Sequence, residues 1–446
     1  MKALLPLLLA LLPGVVLARG DVTRGRAAVE KAQCTRCHDV DGVRAVPQDA
    51  ACVRCHQWIV RTAANDDAAA EARESFPLWD RHVQRVSTGH YTVGVPSLRG
   101  LGRFRRDWLR AYLRNPYDLR PTLSESMPRP GWNDRTVDDV VAFLTRNTPT
   151  IPGPVPPRED ALVTRGAALF EEKGCVACHL FGNRVFVTAG PEQFTFSRNP
   201  GRALAPDLRH TRDRMRPELL TTWIRAPQSL KPDTLMPAVA LSEADALALA
   251  CFILYGEPGT PAPAFPVDNA PPPSGPVTWK AVDERIFSRV CIHCHMDPAL
   301  SGGDGGPGNS GGFGYPAVGL SFSSYRDVTR GSRTASGRRQ SIFRPGASGE
   351  PVLLERVHIR HVEAQRDRIL PGHDDLRDHR AARPSEPPGM PMGLPALSPE
   401  DVALLEAWVR AGHPGPQDPH GNAPAGRKNC PASWRTECAC ALPGAK

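Results

Sequence analysis

Apolar residues form one long run at the start of the chain and only short segments after it. Residues 1–18 hold a single Lys, then a Leu-rich run that ends in Val16-Leu17-Ala18. A charged start, an apolar centre and a small final residue are typical of a secretory signal, and the run is short for a bilayer span. We therefore expect cleavage after residues 1–18, no stable membrane insertion of the remaining chain, and a periplasmic or secreted protein.

Four later apolar segments have the flanking residues of short helices. Thr136 and Ser242 each begin a Ser/Thr-x-x-Asp pattern, in which the hydroxyl can cap a helix start. Ser398 is a third cap, and Pro399 follows it at the first helical position, where proline is well tolerated. These segments predict a mainly α fold. They are Val140–Leu144, Ala246–Leu254, Val282–Val290 and Val402–Val409.

Composition indicates small cores and much loop. The chain has 446 residues, which corresponds to about three domains. Hydrophobic residues make up only 41%, beside 47 prolines and 39 glycines, so we expect long Pro- and Gly-rich loops. Residues 257–276 hold eight prolines and are predicted to be a semi-rigid linker. Twelve cysteines are too few for a compact disulfide scaffold.

Eight of the cysteines lie in four copies of CxxCH, the attachment pattern of c-type haem. The two thiols add to the vinyl groups of the porphyrin, and the adjacent histidine is the proximal iron ligand. A zinc site would not require a histidine after each pair, and a thioredoxin-like pair would lie in a βαβ unit. The sequence therefore predicts four covalently bound haem c groups. We number the copies motif one to motif four: Cys34-Thr35-Arg36-Cys37-His38, Cys52-Val53-Arg54-Cys55-His56, Cys175-Val176-Ala177-Cys178-His179 and Cys291-Ile292-His293-Cys294-His295.

Motifs one and three belong to a repeated unit. Segments before and after both motifs recur in the same order, and the last is a Met-Pro pair. A repeat of this kind indicates that each copy is one structural unit. The matched segments are Val22–Gly25 and Val163–Gly166, Val95–Leu98 and Ala205–Leu208, Ala111–Pro116 and Thr222–Pro227, and Met127-Pro128 and Met236-Pro237.

The order of these segments resembles class I cytochrome c across both repeats. That family has an N-terminal helix, CxxCH, a Pro-x-Leu loop, a helix, a Met-Pro loop and a closing helix. The resemblance implies small helical domains around covalent haem, with a methionine sulfur as the sixth iron ligand. It pairs His38 with Met127 and His179 with Met236. Methionine is often only core filler, but these two precede proline at matched places in polar loops.

Motif two lies in an insertion within the first repeat. From His38 to Pro96 is 58 residues, whereas from His179 to Pro206 is 27, and the 31 extra residues contain motif two. The short separation of motifs one and two predicts a closely coupled pair of haems.

The repeat leaves motif two without a methionine of its own. His56 is its proximal ligand, and the nearest candidates for the sixth ligand are His82 and His90. We favour His90 because it comes just before the loop that contains Pro96.

Motif four lies in a divergent third unit. Its segments Gly319–Gly331, Pro345–Ser348 and Leu353–Val357 resemble the single-haem domains of large multidomain bacterial cytochromes, which end in Met-Pro and a helix. The Gly-rich segment Ser301–Gly314 lacks the Lys-Ser/Thr of a phosphate-binding loop, so we predict a flexible loop.

Two methionines compete as the sixth ligand opposite His295. The Met-Pro pairing selects Met390, whereas the six-residue distance to the cap Ser398, as in the second repeat, selects Met392. We favour Met390. Outside candidates are three neighbouring histidines. They are His358, His361 and His373.

These observations predict a domain organisation. Unit one, 19–155, holds two haems; unit two, 156–256, and unit three, 277–415, hold one each. A Pro- and Ala-rich tail, 416–446, follows, and one disulfide of undetermined pairing is expected among its three cysteines. These are Cys430, Cys438 and Cys440. Cys251, on the apolar face of a closing helix, is predicted to be a small buried core residue.

The expected function is electron transfer outside the cytoplasm, by a tetrahaem carrier or a subunit of a redox complex with redox proteins as partners. The formal charge of +8 falls towards neutrality once eight haem propionates are counted, which argues against nucleic acid as a partner. The alternative is a peroxidase- or nitrite-reductase-like haem enzyme with an open iron position at motif two. We assign no catalytic residue, and we favour the carrier because the other three haems have methionine candidates.

Overall fold

The computed structural model of the chain describes residues 20–47, 50–75, 79–80, 83, 95–116, 119–120, 127–147, 153–182, 184, 186, 204–259, 270–271, 273–299, 305–368 and 387–416. Helix accounts for 51% and strand for 3%, which confirms the predicted mainly α class. The predicted signal, nearly all of the tail and much of the linker lie outside the described residues. In the described part of the chain, no helix is both long and apolar enough to cross a membrane.

The helices of unit one fall into two groups. Helices α2 and α3 belong to the insertion and pack against each other. Trp58 of α2 meets Trp79 edge to face at 5.8 Å between ring centroids. The other helices surround motif one. The helix bounds are α1 Val22–Lys31, α2 Cys52–Ala63, α3 Asp66–Ser75, α4 Arg106–Arg114 and α5 Asp134–Leu144, with 3-10 turns at Cys34–Arg36 and Leu101–Arg103.

Unit two repeats the arrangement of unit one without the insertion. A long helix precedes motif three, short helices follow it, and a long helix closes the unit. The bounds are α6 Asp160–Glu172, α7 Thr211–Arg214, α8 Leu220–Arg225, α9 Pro227–Leu230 and α10 Glu243–Tyr255, with 3-10 turns at Cys175–Ala177, Leu208–His210 and Pro217–Leu219.

The first and last helices of each repeat cross in close contact, α1 with α5 and α6 with α10. A Cβ on Gly25 would lie 1.9 Å from the carbonyl oxygen of Asp139, and one on Gly166 would lie 2.0 Å from that of Ala248. Only glycine permits such an approach of two backbones. Both glycines end the repeated Val-Thr-Arg-Gly segment, so the helix crossing accounts for the glycine in that segment.

Unit three has its own helices and a two-stranded antiparallel hairpin, in which Ser332 pairs with Gln340. The helix predicted over Val282–Val290 starts earlier, at Trp279, and continues as a π-helical turn, Asp283–Phe287. The remaining elements are α11 Trp279–Val282, the 3-10 turn Cys291–His293, α12 Pro307–Ser310, α13 Tyr325–Arg330, β1 Ser332–Arg333, β2 Arg339–Gln340, α14 Val352–Arg368 and α15 Pro399–Arg410.

Each unit buries a separate hydrophobic core, as expected for three domains of modest size. Cys251 on α10 is fully buried, which confirms its prediction as a core residue. The largest core side chains are aromatic. They are Trp108 and Phe143 in unit one, Phe170 and Phe252 in unit two, and Trp279, Phe287 and Trp408 in unit three.

Two of the predicted helix caps are confirmed. The Ser242 hydroxyl accepts a hydrogen bond from the backbone N–H of Asp245 at 3.1 Å, and α10 begins directly after the cap, at Glu243. Ser398 caps α15 in the same way, with Pro399 in the first helical position.

The predicted cap at Thr136 is wrong. Helix α5 begins at Asp134, and its cap is Asn133, whose side-chain oxygen accepts the backbone N–H of Thr136 at 2.9 Å. Asn is as good a cap as Ser or Thr, and the hydroxyl of Thr136 donates to the same oxygen instead of capping. With Asn133 as its cap, α5 begins about one turn earlier than a cap at Thr136 would allow.

The flexible loop predicted over Ser301–Gly314 is also wrong for its described part, 305–314. This segment contains α12 and packs on motif four: the N–H of Gly308 donates to the carbonyl of Cys294 at 2.8 Å. A Cβ on Gly308 would come within 2.4 Å of the His295 ring. The glycines therefore permit close packing here rather than mobility.

Backbone hydrogen bonds join the units. Units one and two meet where Phe104 forms a β-bridge with Met215. Units one and three meet at Phe313, whose N–H donates to the carbonyl of Ala32 at 2.9 Å and whose carbonyl accepts the N–H of Gly131 at 3.1 Å.

Candidate functional site

Three of the four CxxCH motifs fold into the same turn. In motifs one, three and four the first residues form a 3-10 turn, which the histidine N–H closes on the carbonyl of the first cysteine at 2.9, 3.0 and 3.1 Å. Motif two differs, because Cys52 begins the α-helix α2. The inserted motif therefore presents its residues from a helix rather than from an isolated turn.

The histidines of motifs one and three have matching partners. Nδ1 of His38 lies 2.7 Å from the carbonyl oxygen of Pro96, and Nδ1 of His179 lies 2.9 Å from that of Pro206. Both prolines belong to the repeated Pro-x-Leu segment. A carbonyl acceptor puts the proton on Nδ1, fixes the ring and leaves Nε2 as the ligand nitrogen.

Burial favours the neutral form of these histidines. It lowers the pKa of His38 and of His179, although the proline carbonyls act in the opposite direction. Burial also lowers the pKa of His295 in motif four to about 4. Neutral imidazole is the form that binds a metal.

The ring of His295 is held differently. Its Nδ1 is buried without a hydrogen-bond partner, although the carbonyl of Leu320 is near enough to oppose the fall in its pKa. The ring meets Phe322 edge to face at 5.9 Å between centroids. Unit three therefore departs from the His–Pro arrangement of the repeat.

One continuous cavity of about 780 Å³ connects the four motifs. His295 and Cys291 do not line it, and Cys291 packs against the unit-three core instead. Of Cys55, only the backbone is described. The motif residues on the cavity wall are Cys34, Arg36, Cys37, His38, Cys52, His56, Cys175, Cys178, His179, His293 and Cys294.

Three methionines that precede helix caps also line this cavity. Two of them are Met127 and Met236, the candidates from the repeat, and of the two candidates in unit three Met392 lines the wall and Met390 does not. The distance from methionine to cap is six residues in all three units, once the cap of α5 is taken as Asn133. The corrected cap therefore extends the six-residue spacing of unit two to unit one.

The other candidate ligands do not line the cavity. Both ring nitrogens of His358 lie against carboxylates, Glu350 at 2.9 Å and Glu406 at 3.0 Å. Nε2 of His361 is buried without a hydrogen-bond partner, but the residue is absent from the cavity wall. His82, His90 and His373 lie outside the described residues.

Cysteines from three motifs line the cavity and act on one another electrostatically. Cys37 of motif one makes a side-chain hydrogen bond with Cys52 of motif two, which, with burial and the nearby Cys294 of motif four, raises the pKa of Cys37. Burial raises the pKa of Cys34 to about 12, and burial together with the neighbouring Cys294 raises that of Cys291 to about 12. The contact of motif four with motifs one and two has no signal in the sequence.

The positive charge of the cavity wall was not predicted from the sequence either. Cations exceed carboxylates by four, and burial together with the neighbouring Arg214 lowers the pKa of Arg103 to about 9. These side chains come from distant parts of the chain, so no local cluster marks them. They are Arg36, Arg103, Arg120, Lys173, Arg214 and Lys231 against Asp39 and Asp233.

Among the described residues, no three His, Cys, Asp or Glu side chains are grouped so as to hold a metal ion by themselves. A scan of protein families found no match to this chain, and searches of characterised proteins and of solved structures found none either.

Proposed function

We propose that the protein is a tetrahaem c-type cytochrome that transfers electrons outside the cytoplasm. The observation that carries this proposal is the convergence of residues from all four CxxCH motifs, together with three methionines, on one cavity. Four attachment motifs scattered over 262 positions, from Cys34 to His295, have no structural reason to share a cavity unless they hold a common cofactor system.

The donor set fits haem c. Each motif offers two thiols for the vinyl groups and one histidine, and the burial of His38, His179 and His295 favours the neutral form of their rings. A bound haem would supply an iron that exchanges one electron. The chain's part is to anchor the porphyrin through the thiols and to orient the imidazoles through the carbonyls of Pro96 and Pro206.

The positive wall of the cavity supports the same proposal. Each haem brings two propionate carboxylates, and an excess of four cations lies around the cavity. Buried charge is tolerated only when it is paired with an opposite charge or with good hydrogen-bond partners. Some of these cations already have partners within the chain, such as Arg36 with the carbonyl of Ala50 and Lys231 with Asp233, and haem propionates would balance the remaining excess of positive charge.

For the sixth ligands we propose Met127 opposite His38, Met236 opposite His179 and Met392 opposite His295. The choice of Met392 over Met390 rests on the cavity wall and on the shared six-residue spacing. For the iron of motif two, His90 remains favoured over His82 on sequence position.

A haem enzyme is the second candidate, and one observation favours it. Motif two starts a helix, unlike the other motifs, and His56 lines the cavity without a methionine at the repeated spacing. An iron with an open position would be located there. Binding of cyanide to one haem, with a high-spin ferric signal in the resting protein, would support the enzyme; absence of both would support the carrier.

The test is a count of covalent haems. The full chain is expressed in a periplasm with c-type haem maturation, and haem per protein is measured by pyridine haemochrome and intact mass. We expect four, and three after the paired change Cys175→Ala with Cys178→Ala. The matched control is Cys251→Ala, which removes a buried cysteine outside the motifs and keeps four. A wild-type protein without covalent haem would overturn the proposal.

A further inference from the structure

Motif one has contacts with every other motif or its immediate surroundings. Cys37 makes a side-chain hydrogen bond with Cys52 of motif two, and Cys294 of motif four acts on Cys37 electrostatically. Motif one is joined to unit two through Ser97, the residue after Pro96. The hydroxyl of Ser97 accepts a hydrogen bond from Lys231 at 2.9 Å, and Lys231 lies five residues before Met236.

One side chain within motif one holds two of these contacts. Arg36, between the two cysteines, is almost fully buried, with 2% of its surface exposed. Its guanidinium donates to the carbonyl of Ala50, two residues before Cys52, at 3.0 Å. It also donates to the hydroxyl of Ser310 at 3.1 Å.

Ser310 belongs to the loop that packs on motif four. In that loop Gly308 donates to the carbonyl of Cys294, and Phe313 bonds to Ala32, two residues before motif one. The loop therefore lies between motifs one and four and touches both. Arg36 fastens the loop and the start of motif two to the same turn.

None of the other motifs has a buried arginine at the equivalent position: motif three has Ala177, motif two has the exposed Arg54, and motif four has the half-buried His293. A buried guanidinium needs hydrogen-bond acceptors or an opposite charge to offset its desolvation. Arg36 has the side chain of Gln33 in its own turn, and Ala50 and Ser310 from two other segments of the chain. This arrangement is specific to motif one.

We propose that motif one is the junction of the haem network, through which electrons pass between unit two and unit three, and that Arg36 is the positioning residue that holds motifs two and four against it. This inference rests on the proposed function. In each transfer one electron leaves one haem iron and enters the neighbouring one, and a redox protein outside the chain supplies or accepts it.

The first experiment removes one haem at a time from the full-length holoprotein. Spectroelectrochemistry of the variant Cys34→Ala with Cys37→Ala should find the midpoint potentials of all three remaining haems shifted. The unit-two deletion, Cys175→Ala with Cys178→Ala, should shift only the haem of motif one. Unchanged potentials for units two and three in the motif-one variant would overturn the junction.

Flash reduction of the same variants gives a kinetic readout. We expect loss of the fast electron-transfer phase between units two and three when motif one lacks haem, and retention of that phase when motif two lacks haem through Cys52→Ala with Cys55→Ala. A fast phase that survives without the haem of motif one would also overturn the junction.

The second experiment leaves all CxxCH residues intact. In Arg36→Ala we expect four haems but loss of the excitonic splitting of the Soret band in circular dichroism, whereas Arg54→Ala should match the wild type. Wild-type splitting in Arg36→Ala would overturn the role of Arg36. A wild-type holoprotein with four haems and no splitting would overturn the close packing of the motifs, while the haem count leaves the proposed function standing.

Discussion

Units one and two share the same arrangement of helices and candidate ligands, but they differ in the segments that surround this arrangement. Both cross their outer helices at a glycine, both give the proximal histidine a proline carbonyl, and both place a methionine six residues before a helix cap. Unit one adds the insertion with motif two and the contact with unit three. Under the proposed function, the shared features would hold a single haem, and the features found only in unit one would join haems.

The largest expected effect concerns the methionines. Met127→His and Met236→His should each lower the midpoint potential of one haem, because His/His ligation gives lower potentials than His/Met. We expect each midpoint potential to fall by about 0.2 V, which is about 4–5 kcal/mol at 59 mV per tenfold change in the equilibrium constant. This lies within the ~0.8 V range of potentials that axial ligands produce. Spectroelectrochemistry measures the fall in potential. Equal shifts would confirm that the two sites match, and no shift in either would contradict the ligand assignment.

The next prediction asks whether the six-residue spacing extends to unit three. Met392→Leu should remove a ligand and shift one potential by about 0.1 V or more, whereas Met390→Leu should not. Magnetic circular dichroism of the oxidised protein reports the lost sulfur ligand. The reverse result would restore Met390 and limit the spacing rule to the two repeats.

The close helix crossing should be equally sensitive to an added methyl group in both units. Gly25→Ala and Gly166→Ala each put a methyl group about 2 Å from a carbonyl oxygen, so each should cost about 3 kcal/mol of unfolding free energy. Gly275→Ala is the control, since nothing lies within 4 Å of its added Cβ. Urea unfolding of the holoprotein measures the loss. A neutral effect at one site would mean that its helices can separate.

The corrected cap gives a smaller effect. Asn133→Ala and Ser242→Ala should each destabilise their helix by about 1 kcal/mol, since each leaves an N–H without its acceptor. Thr136→Ala should have less effect than Asn133→Ala, because the Thr136 hydroxyl only donates to the cap. Thermal unfolding ranks the three variants. A larger loss at Thr136 would restore it as the cap.

The smallest effect is a difference in acid stability between the repeats. A hydrogen bond from Arg24 lowers the pKa of Asp139, and one from Arg165 lowers that of Asp245. A lowered carboxyl pKa contributes stability above the unfolded value near 3.9, and the contribution disappears as pH falls through the folded value. Both ion pairs have an exposed arginine, so solvent screens them and each contribution to stability is small.

That difference is measurable with matched variants. The side chain of Asp139 is 6% exposed and that of Asp245 is 19% exposed, and Asp139 also accepts the backbone N–H of Asp21 at 2.6 Å. Asp139→Asn should therefore lose more stability at pH 7 than Asp245→Asn, with little difference at pH 3. A pH-independent loss in Asp139→Asn would contradict the charge-based account.

Sequence reasoning succeeded where the signal was local. The caps at Ser242 and Ser398 and the mainly α class follow from residue types at fixed short spacings, since backbone geometry brings such residues together in any fold. It failed at Thr136 because Asn133, three residues earlier, competes for the same N–H group and has the better position.

Sequence reasoning also failed where a glycine could serve either chain flexibility or close packing. Glycine in Ser301–Gly314 looked like chain freedom, whereas Gly308 is there because a side chain would collide with the His295 ring. A sequence shows that a residue lacks a side chain, but it does not show which neighbouring group would collide with one.

The sequence by itself determined which residues carry the CxxCH pattern and which helices form around them, because residue spacing, capping and apolar periodicity act over a few residues. Only the tertiary structure decided that Cys37, Cys52 and Cys294 line one cavity, that Met392 lines it too, and that Arg36 reaches Ser310 across 274 positions. Contacts of that range arise from the packing of whole units, in which burial of the apolar cores fixes the orientation, and no pattern along the chain encodes them locally.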